Sequence, residues 1–299
     1  MSPLKQIQAD KSLAYYYAQK GIRVGPLRRF LGASVAAMVR MRGPELQIPA
    51  PGTAGARMVK DLEDTGFAAL PDKSLDAGAV QAVRQELAGK PLYDYYGSGQ
   101  QYDLSGIPSS IVKVRHATAD VLACKGLMDL ANDPDIIAAV TQRLGARPTL
   151  ASAEAWWTFG ENNVAAKHAF DDIYHRDADD LRFVKMFVYL TDTGLASGAH
   201  RFVLGSHADD LFIRRGAIRD TDVDTSYPPE KMLTVTGSAG TAFLEETWGI
   251  HRALLATEGR RLIFSVIYAL GARMPFGPAT PLLPLPEGYD RYVNRLLFY

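Results

Sequence analysis

A single cysteine, Cys124, is all that the 299 residues contain. An internal disulfide framework and any multi-cysteine zinc or iron–sulfur site are therefore excluded. Cys124 lies in a helix-like stretch and reads as a buried structural thiol. Neither sign of charge is in excess, with 33 Lys+Arg against 33 Asp+Glu. Nucleic acid is not an expected partner, because binding phosphates calls for a basic surplus. No apolar run approaches the length that crosses a bilayer. No leader pattern is expected either, since Lys5, Asp10 and Lys11 break up the first apolar residues. A reducing, cytoplasmic setting is the default expectation. There is no Gly-x-Ser-x-Gly elbow, which argues against a serine hydrolase. Gly97-Ser98-Gly99 is followed by neither a Lys-Ser/Thr pair nor a helix start, so it is not a phosphate loop. Internal repeats and low-complexity tracts are lacking as well.

What is present is an ordinary globular composition, 47% hydrophobic and 22% charged, in a chain long enough for one enzyme-sized core. Its charge is uneven. From Lys5 to Arg42 the cations are opposed by Asp10 alone, and between them runs LRRFLGASVAAMVRMRG, a helix with an apolar face. One reading is a membrane-surface or partner-binding helix, giving weak membrane contact. The other is a helix packed on the core with its basic face in water. The oligomeric state has no signature in the sequence.

The pattern changes near residue 148. Before it, periodic segments predict helices: Asp133-Pro134 opens DIIAAVTQRL with an N-cap and a first-turn proline, and Gly145 stops it. SLDAGAVQAVRQELAG is similar, while LYDYYGSGQQYDLSG reads as a long loop. After residue 148, TLASAEAWWTF, RFVKMFVYLTD, RFVLG, KMLTVTG, TAFLEE and RRLIFSVIYAL are short β-branched and aromatic runs, punctuated by Gly, Ser, Asp and Pro. Such spacing predicts an antiparallel sandwich or barrel. The expected architecture is one domain, mainly β with α: a mainly helical part over 1–147, a barrel core over 148–273, and a proline-rich strap over 274–299.

The chemistry-bearing residues are few. Six histidines occur, two of them in His-x-Asp spacing: His175-Arg176-Asp177 and His207-Ala208-Asp209. Chance alone supplies roughly half of one such match, so context must separate them. His175-x-Asp177 precedes the strand-like LRFVKMFVYL, and in extended backbone residues i and i+2 project to one side, where imidazole and carboxylate can reach one ion. His207-x-Asp209 precedes ADDLFIRR, a helix start in which Ser206 or Asp209 would cap. A facial triad of two histidines and one carboxylate binds iron(II) and leaves open positions. His251, between TAFLEETWG and the next strand, is the candidate third ligand; alone it would read as a hydrogen-bonded turn histidine.

The stretches YHRDADDLRFVKMFVYLTDTGLASGAHRFVLGSH and GTAFLEETWGIHRALLATEGRRLIFSVIYAL resemble the phytanoyl-CoA dioxygenase-like family of iron(II)/2-oxoglutarate-dependent oxygenases. The resemblance covers about the C-terminal half of the chain. It implies a double-stranded β-helix (jelly-roll, cupin-like) core with iron on His175, Asp177 and His251. It also implies 2-oxoglutarate and O₂ as co-substrates, supportive ascorbate, and an arginine beyond the distal histidine that grips the far carboxylate of 2-oxoglutarate. The implied outcome is hydroxylation of a small-molecule or lipid-like substrate with release of succinate and CO₂. Ala199 departs from the proline common in the family's Gly-Pro-His turn.

Arg260 and Arg261 are adjacent and must face opposite sides of a strand. Arg261 shares its face with Ser265, and a carboxylate pocket wants a guanidinium fork with a hydroxyl nearby, which favours Arg261. Lys185 is either a second polar contact to 2-oxoglutarate or a lysine reaching solvent at a barrel rim. Trp157, Tyr174 and Arg176 are assigned to the substrate side, one of the paired tryptophans Trp156 and Trp157 being sent into the core by strand alternation. Asp171-Asp172 and Asp179-Asp180 read as solvated turns flanking the motif. Two rivals remain: a metal-dependent barrel enzyme that does not use 2-oxoglutarate, such as an isomerase or simple dioxygenase, and a silent binding protein on the same fold.

Overall fold

A computed structural model describes residues 3–97, 99–163, 173–213, 216–271, 273–275, 278 and 280–299. Eleven strands are present among them: β1 (Phe67–Ala69), β2 (Leu92–Asp94), β3 (Gln101–Tyr102), β4 (Lys113–His116), β5 (Thr149–Phe159), β6 (Phe183–Tyr189), β7 (His200–Val203), β8 (Met232–Val235), β9 (Ala242–Glu245), β10 (His251–Ala253) and β11 (Arg260–Ala269). Eight form one sheet in the order β1-β9-β6-β11-β5-β4-β2-β3, and three form a second in the order β10-β7-β8. Every registered pair is antiparallel. The architecture is mixed α and β around a large antiparallel sheet.

Strand alternation divides the large sheet into two working faces. On β11, Leu262, Phe264, Val266 and Tyr268 enter the main core, which also holds Leu62, Met128, Val140 and Leu144 from the helices. The alternate residues, Arg261, Ile263, Ser265 and Ile267, line a cavity on the other face. There Ile263 meets Phe187, Tyr189, Phe243 and, from the small sheet, Val235. Because both faces are covered, β6 and β11 are buried almost throughout, and their sequences read as near-continuous apolar runs.

The helix Pro134–Leu144 forms as its signals dictate. The Asp133 carboxylate accepts the N–H groups of Asp135 and Ile136, and Gly145, at φ 78°, closes the other end in the left-handed region. Other expectations are corrected. The segment read as a loop after Leu92 contains the β2–β3 pair, which β4 joins to the main sheet. Strands β1 to β4 all precede residue 148 yet belong to that sheet. No helix starts at His207-x-Asp209; a turn holds it, with the Asp209 carboxylate accepting the Leu211 N–H at 2.9 Å. The proline-rich tail carries the short helix Arg291–Asn294 and sends Val293, Leu297 and Phe298 into the main core.

The basic helix Gly25–Arg42 packs with Arg28, Gly32 and Ala36 inward. Leu27, Phe30, Met38 and Met41 remain exposed on it, so its outer face is mixed rather than purely basic. No helix among the described residues is long and apolar enough to cross a membrane. Cys124 sits at the junction of two short helices and is buried.

Candidate metal centre and its cavity

The two motif histidines are held by backbone before any side chain is considered. An isolated antiparallel bridge joins them: His175 donates its N–H to the His251 carbonyl and receives the His251 N–H in return, both at 3.0 Å. The Asp177 N–H reaches the Thr247 carbonyl at 2.8 Å, so the motif and the segment leading into β10 are zipped together. This is why residues more than seventy positions apart in sequence present their side chains to one point.

Each imidazole is then fixed by a carbonyl two residues behind it. His175 Nδ1 lies 2.8 Å from the Ile173 carbonyl oxygen, and His251 Nδ1 lies 3.0 Å from that of Gly249. A carbonyl can only accept, so Nδ1 carries the proton and the Nε2 lone pair is left for a ligand. The two Nε2 atoms converge on Asp177, at 3.7 Å from Oδ1 for His175 and 3.4 Å from Oδ2 for His251. One ligand atom from each of the three residues lies within 4.8 Å of the others, close enough to hold one metal ion.

Asp177 is poised as an anion. Burial alone would raise its pKa, but Lys185, His251 and His175 outweigh that and hold it well below the usual carboxylate range. Burial would likewise lower His251, and the Asp177 charge raises it instead. Lys185 donates to Asp177 Oδ2 at 2.6 Å and also meets Asp179 Oδ2 at 2.8 Å. Burial disfavours its ammonium, yet the two carboxylates raise its pKa. The site thus concentrates negative charge where a cation would sit.

A cavity of about 340 Å³ opens from the triad between the two sheets. Arg261 lines it, with Nη1 donating to the Gly198 carbonyl and Nη2 lying 3.5 Å from Thr158 Oγ1. Arg260 turns outward to Glu161, at 2.6 Å. Ser265 shares the inner face with Arg261, opposite Glu154 on β5 and Phe187 on β6. Lys185 lines the same cavity, engaged with Asp177 and Asp179 rather than reaching solvent at a rim.

The residues assigned to the substrate side fall elsewhere. Trp157 is on the main-core face of the sheet, and Trp156 takes the cavity position beside Arg115 and Tyr95. Tyr174 packs in a separate cluster with Val203, Ile218, Val223 and Ile250. Arg176 points away from the triad and donates to the carbonyls of Ser206, Leu211 and Trp248 and to Asp209. The extended backbone explains it: His175 and Asp177 share one side, and Arg176 takes the other.

Asp179 and Asp180 are buried rather than solvated. Tyr15 donates to Asp180 Oδ1 at 2.7 Å, Gln19 donates to the Ala178 carbonyl at 2.8 Å, and Arg28 donates to the Asp180 carbonyl. The N-terminal helices therefore clamp the loop after the motif. His168 and the Asp171-Asp172 pair lie outside the described residues.

Several cavity residues carry no sequence signal of their own. His200 stacks on His251, with ring centroids 5.5 Å apart and planes at 21°, and its Nε2 stands 2.7 Å from Glu245 Oε2, close but off the hydrogen-bonding line. Glu154 pairs with Arg115 at 3.3 Å, and burial raises its pKa. Strand parity could have found Glu154 and Trp156 once Ser265 was placed inward, because they oppose the cavity face of β11.

No family model and no curated protein matches this chain. Solved structures do. The non-heme alpha ketoglutarate dependent epimerase SnoN from nogalamycin biosynthesis is 22% identical over 79% of this chain and 94% of that chain, with a TM-score of 0.52. HygX from Streptomyces hygroscopicus, with nickel and 2-oxoglutarate bound, is 20% identical over 75% and 89%, at 0.48. The carbocyclase SnoK from nogalamycin biosynthesis is 18% identical over 76% and 86%, at 0.46. The likeness to SnoN establishes a shared fold, and the two lower-scoring likenesses add nothing to that.

Proposed function

We propose that this chain is an iron(II)/2-oxoglutarate-dependent oxygenase of the phytanoyl-CoA dioxygenase-like kind, with its two sheets forming a double-stranded β-helix. The observation that carries the reading is the convergence of two carbonyl-pinned imidazoles and one carboxylate on a cavity whose wall presents an inward arginine. Two neutral nitrogens and one carboxylate fit iron(II), and sharing one face they leave coordination positions for small ligands. The fold shared with SnoN, named as alpha ketoglutarate dependent, supports the same reading.

When bound, iron(II) with 2-oxoglutarate and O₂ supplies the oxidising chemistry, leaving succinate, CO₂ and an oxidised substrate. The chain contributes binding, orientation and charge. His175 and His251 would ligate through Nε2, with their Nδ1 protons fixing ring orientation. Lys185 keeps Asp177 ionised and in place. Arg261 would take the distal carboxylate of 2-oxoglutarate, with Ser265 on the same face. Tyr95, Arg115 and Trp156 would face the substrate, and the buried Trp156 Nε1–H has no protein partner among the described residues, which suits it to a substrate oxygen. We assign a small-molecule or lipid-like substrate and hydroxylation as the outcome.

Succinate formation tests the reading. Protein loaded with iron(II) under argon and then exposed to air with 2-oxoglutarate and ascorbate should release succinate slowly without substrate. His251→Ala should not. Bound iron with no succinate above the His251→Ala background would transfer the protein to the class that does not use 2-oxoglutarate.

A further inference from the structure

The main sheet carries a second cavity on its reverse side. Its floor is made by Leu92, Trp157 and Leu262, and its wall by Val80 and Leu87 of the helix Ala77–Leu87. At about 1250 Å³ it is larger than the cavity at the triad, and it opens to solvent. Its floor is the back of the β5–β11 pair whose front carries Trp156 and Arg261.

Two polar features give this cavity a chemistry. His116, at the end of β4 opposite Leu92, borders it and is only 5% exposed. Neither of its ring nitrogens has a hydrogen-bond partner among the described residues. A buried donor and a buried acceptor left without partners are both costly, so such a ring asks for a ligand group that can satisfy them. At the rim stand Arg84, Lys90 and Arg260, with Asp103 and Asp192 as the acids. Lys90 faces Asp120 at 3.6 Å, Arg260 faces Glu161 at 2.6 Å, and Asp192 accepts the Ala239 N–H at 2.9 Å. Arg84 has no acidic partner among the described residues, so its guanidinium is available to an incoming anion.

We propose that this cavity is a second binding site, distinct from the triad, for an amphipathic carboxylate. The apolar body lies against the exposed edge of Trp157 and beside Leu104 at the mouth, the carboxylate meets Arg84, and a hydroxyl or carbonyl farther along the molecule meets His116 once the ring turns its covered nitrogens toward the cavity. A hydroxyl suits either nitrogen of a neutral imidazole, because it can accept from the ring N–H or donate to the unprotonated nitrogen. Burial keeps the ring neutral by lowering its pKa to about 4. Nothing in this assignment depends on which metal or co-substrate the triad holds.

Calorimetric titration of the intact protein with ω-hydroxydecanoate and with decanoate tests it. One molecule per chain should bind, with the hydroxylated acid tighter by about threefold to tenfold, the worth of one ordinary hydrogen bond. His116→Phe, close in size but without ring nitrogens, should erase that preference. Arg84→Glu, at an exposed position whose unchanged Tm is checked alongside, should weaken both acids by about tenfold or more. Arg261→Ala, in the other cavity, should change neither. Lack of saturable binding, binding indifferent to Arg84→Glu, a preference that survives His116→Phe, or loss of binding in Arg261→Ala would each overturn the proposal.

Discussion

At the residue scale, the candidate site divides into side chains that would touch a metal and side chains that hold those in place. His175, Asp177 and His251 form the first group, and replacing any one by Ala leaves two donors. Each variant should lose stoichiometric iron(II), measured by metal analysis after gel filtration. His207→Ala should keep it, because His207 sits in a turn with Nδ1 buried outside the cluster. Retention by His175→Ala with loss by His207→Ala would move the site to the His207-x-Asp209 motif. Arg261 and Arg260 give a second contrast at single-residue resolution. The inward guanidinium should make charge-assisted bonds worth about 1.5–3 kcal/mol each, so Arg261→Ala should weaken 2-oxoglutarate binding by on the order of a hundredfold. Lysine there should restore only part of it, having no planar fork. Arg260→Ala, which removes an exposed pair with Glu161, should leave the Michaelis constant for 2-oxoglutarate nearly unchanged. The reverse ranking would mean that the outward residue is the anchor.

Strands and loops explain which of these residues sequence reasoning could reach. Strand β11 was legible to the residue because its ten positions are regular enough for parity to place Arg261 and Ser265 together. The same parity sets Trp156 on the cavity face, but the sequence does not reveal which tryptophan opposes Ile263, and Trp157 was assigned there instead. Strands β2 and β3 were missed because they are short and rich in polar and Tyr residues, with pairing supplied by β4 rather than by local propensity. Arg176 shows the limit of reading by neighbourhood. It lies inside the motif, yet its guanidinium ties together Ser206, Asp209 and Leu211 of one loop and Trp248 of another. Arg176→Ala should therefore act on the element rather than on the substrate. It strands several carbonyls and the Asp209 carboxylate, and the expected loss is about 3 kcal/mol in denaturant unfolding, with metal affinity falling alongside. An unchanged denaturation midpoint together with a raised substrate Michaelis constant would return Arg176 to the substrate side.

Across the whole molecule, the triad couples metal binding to pH and to stability. In the metal-free protein Asp177 draws a proton onto His251, whose pKa is raised against the effect of burial, while Asp177 itself is held low. The raised histidine contributes stability below the ordinary histidine range and loses it as pH rises through the folded value. The depressed carboxylate contributes above the ordinary carboxylate range and loses it in acid, as pH falls through its lowered value. The pair therefore supports the metal-free fold between those limits, and any metal must displace the His251 proton to bind. Zinc(II), which has no redox chemistry of its own, isolates this effect. At about a hundredfold its dissociation constant, a ligand stabilises the fold by about 2.7 kcal/mol, which corresponds to several degrees in Tm. The zinc-induced rise in Tm should grow as pH increases from about 6 to about 8, because proton competition at His251 weakens as protons become scarcer. His251→Ala should show neither the rise nor its pH dependence, whereas His200→Phe should keep both, since His200 stacks on His251 without belonging to the donor set. A zinc-induced rise in Tm that is flat across this range would mean that no proton leaves His251 on binding, and that the Asp177–His251 pair is not where the metal enters.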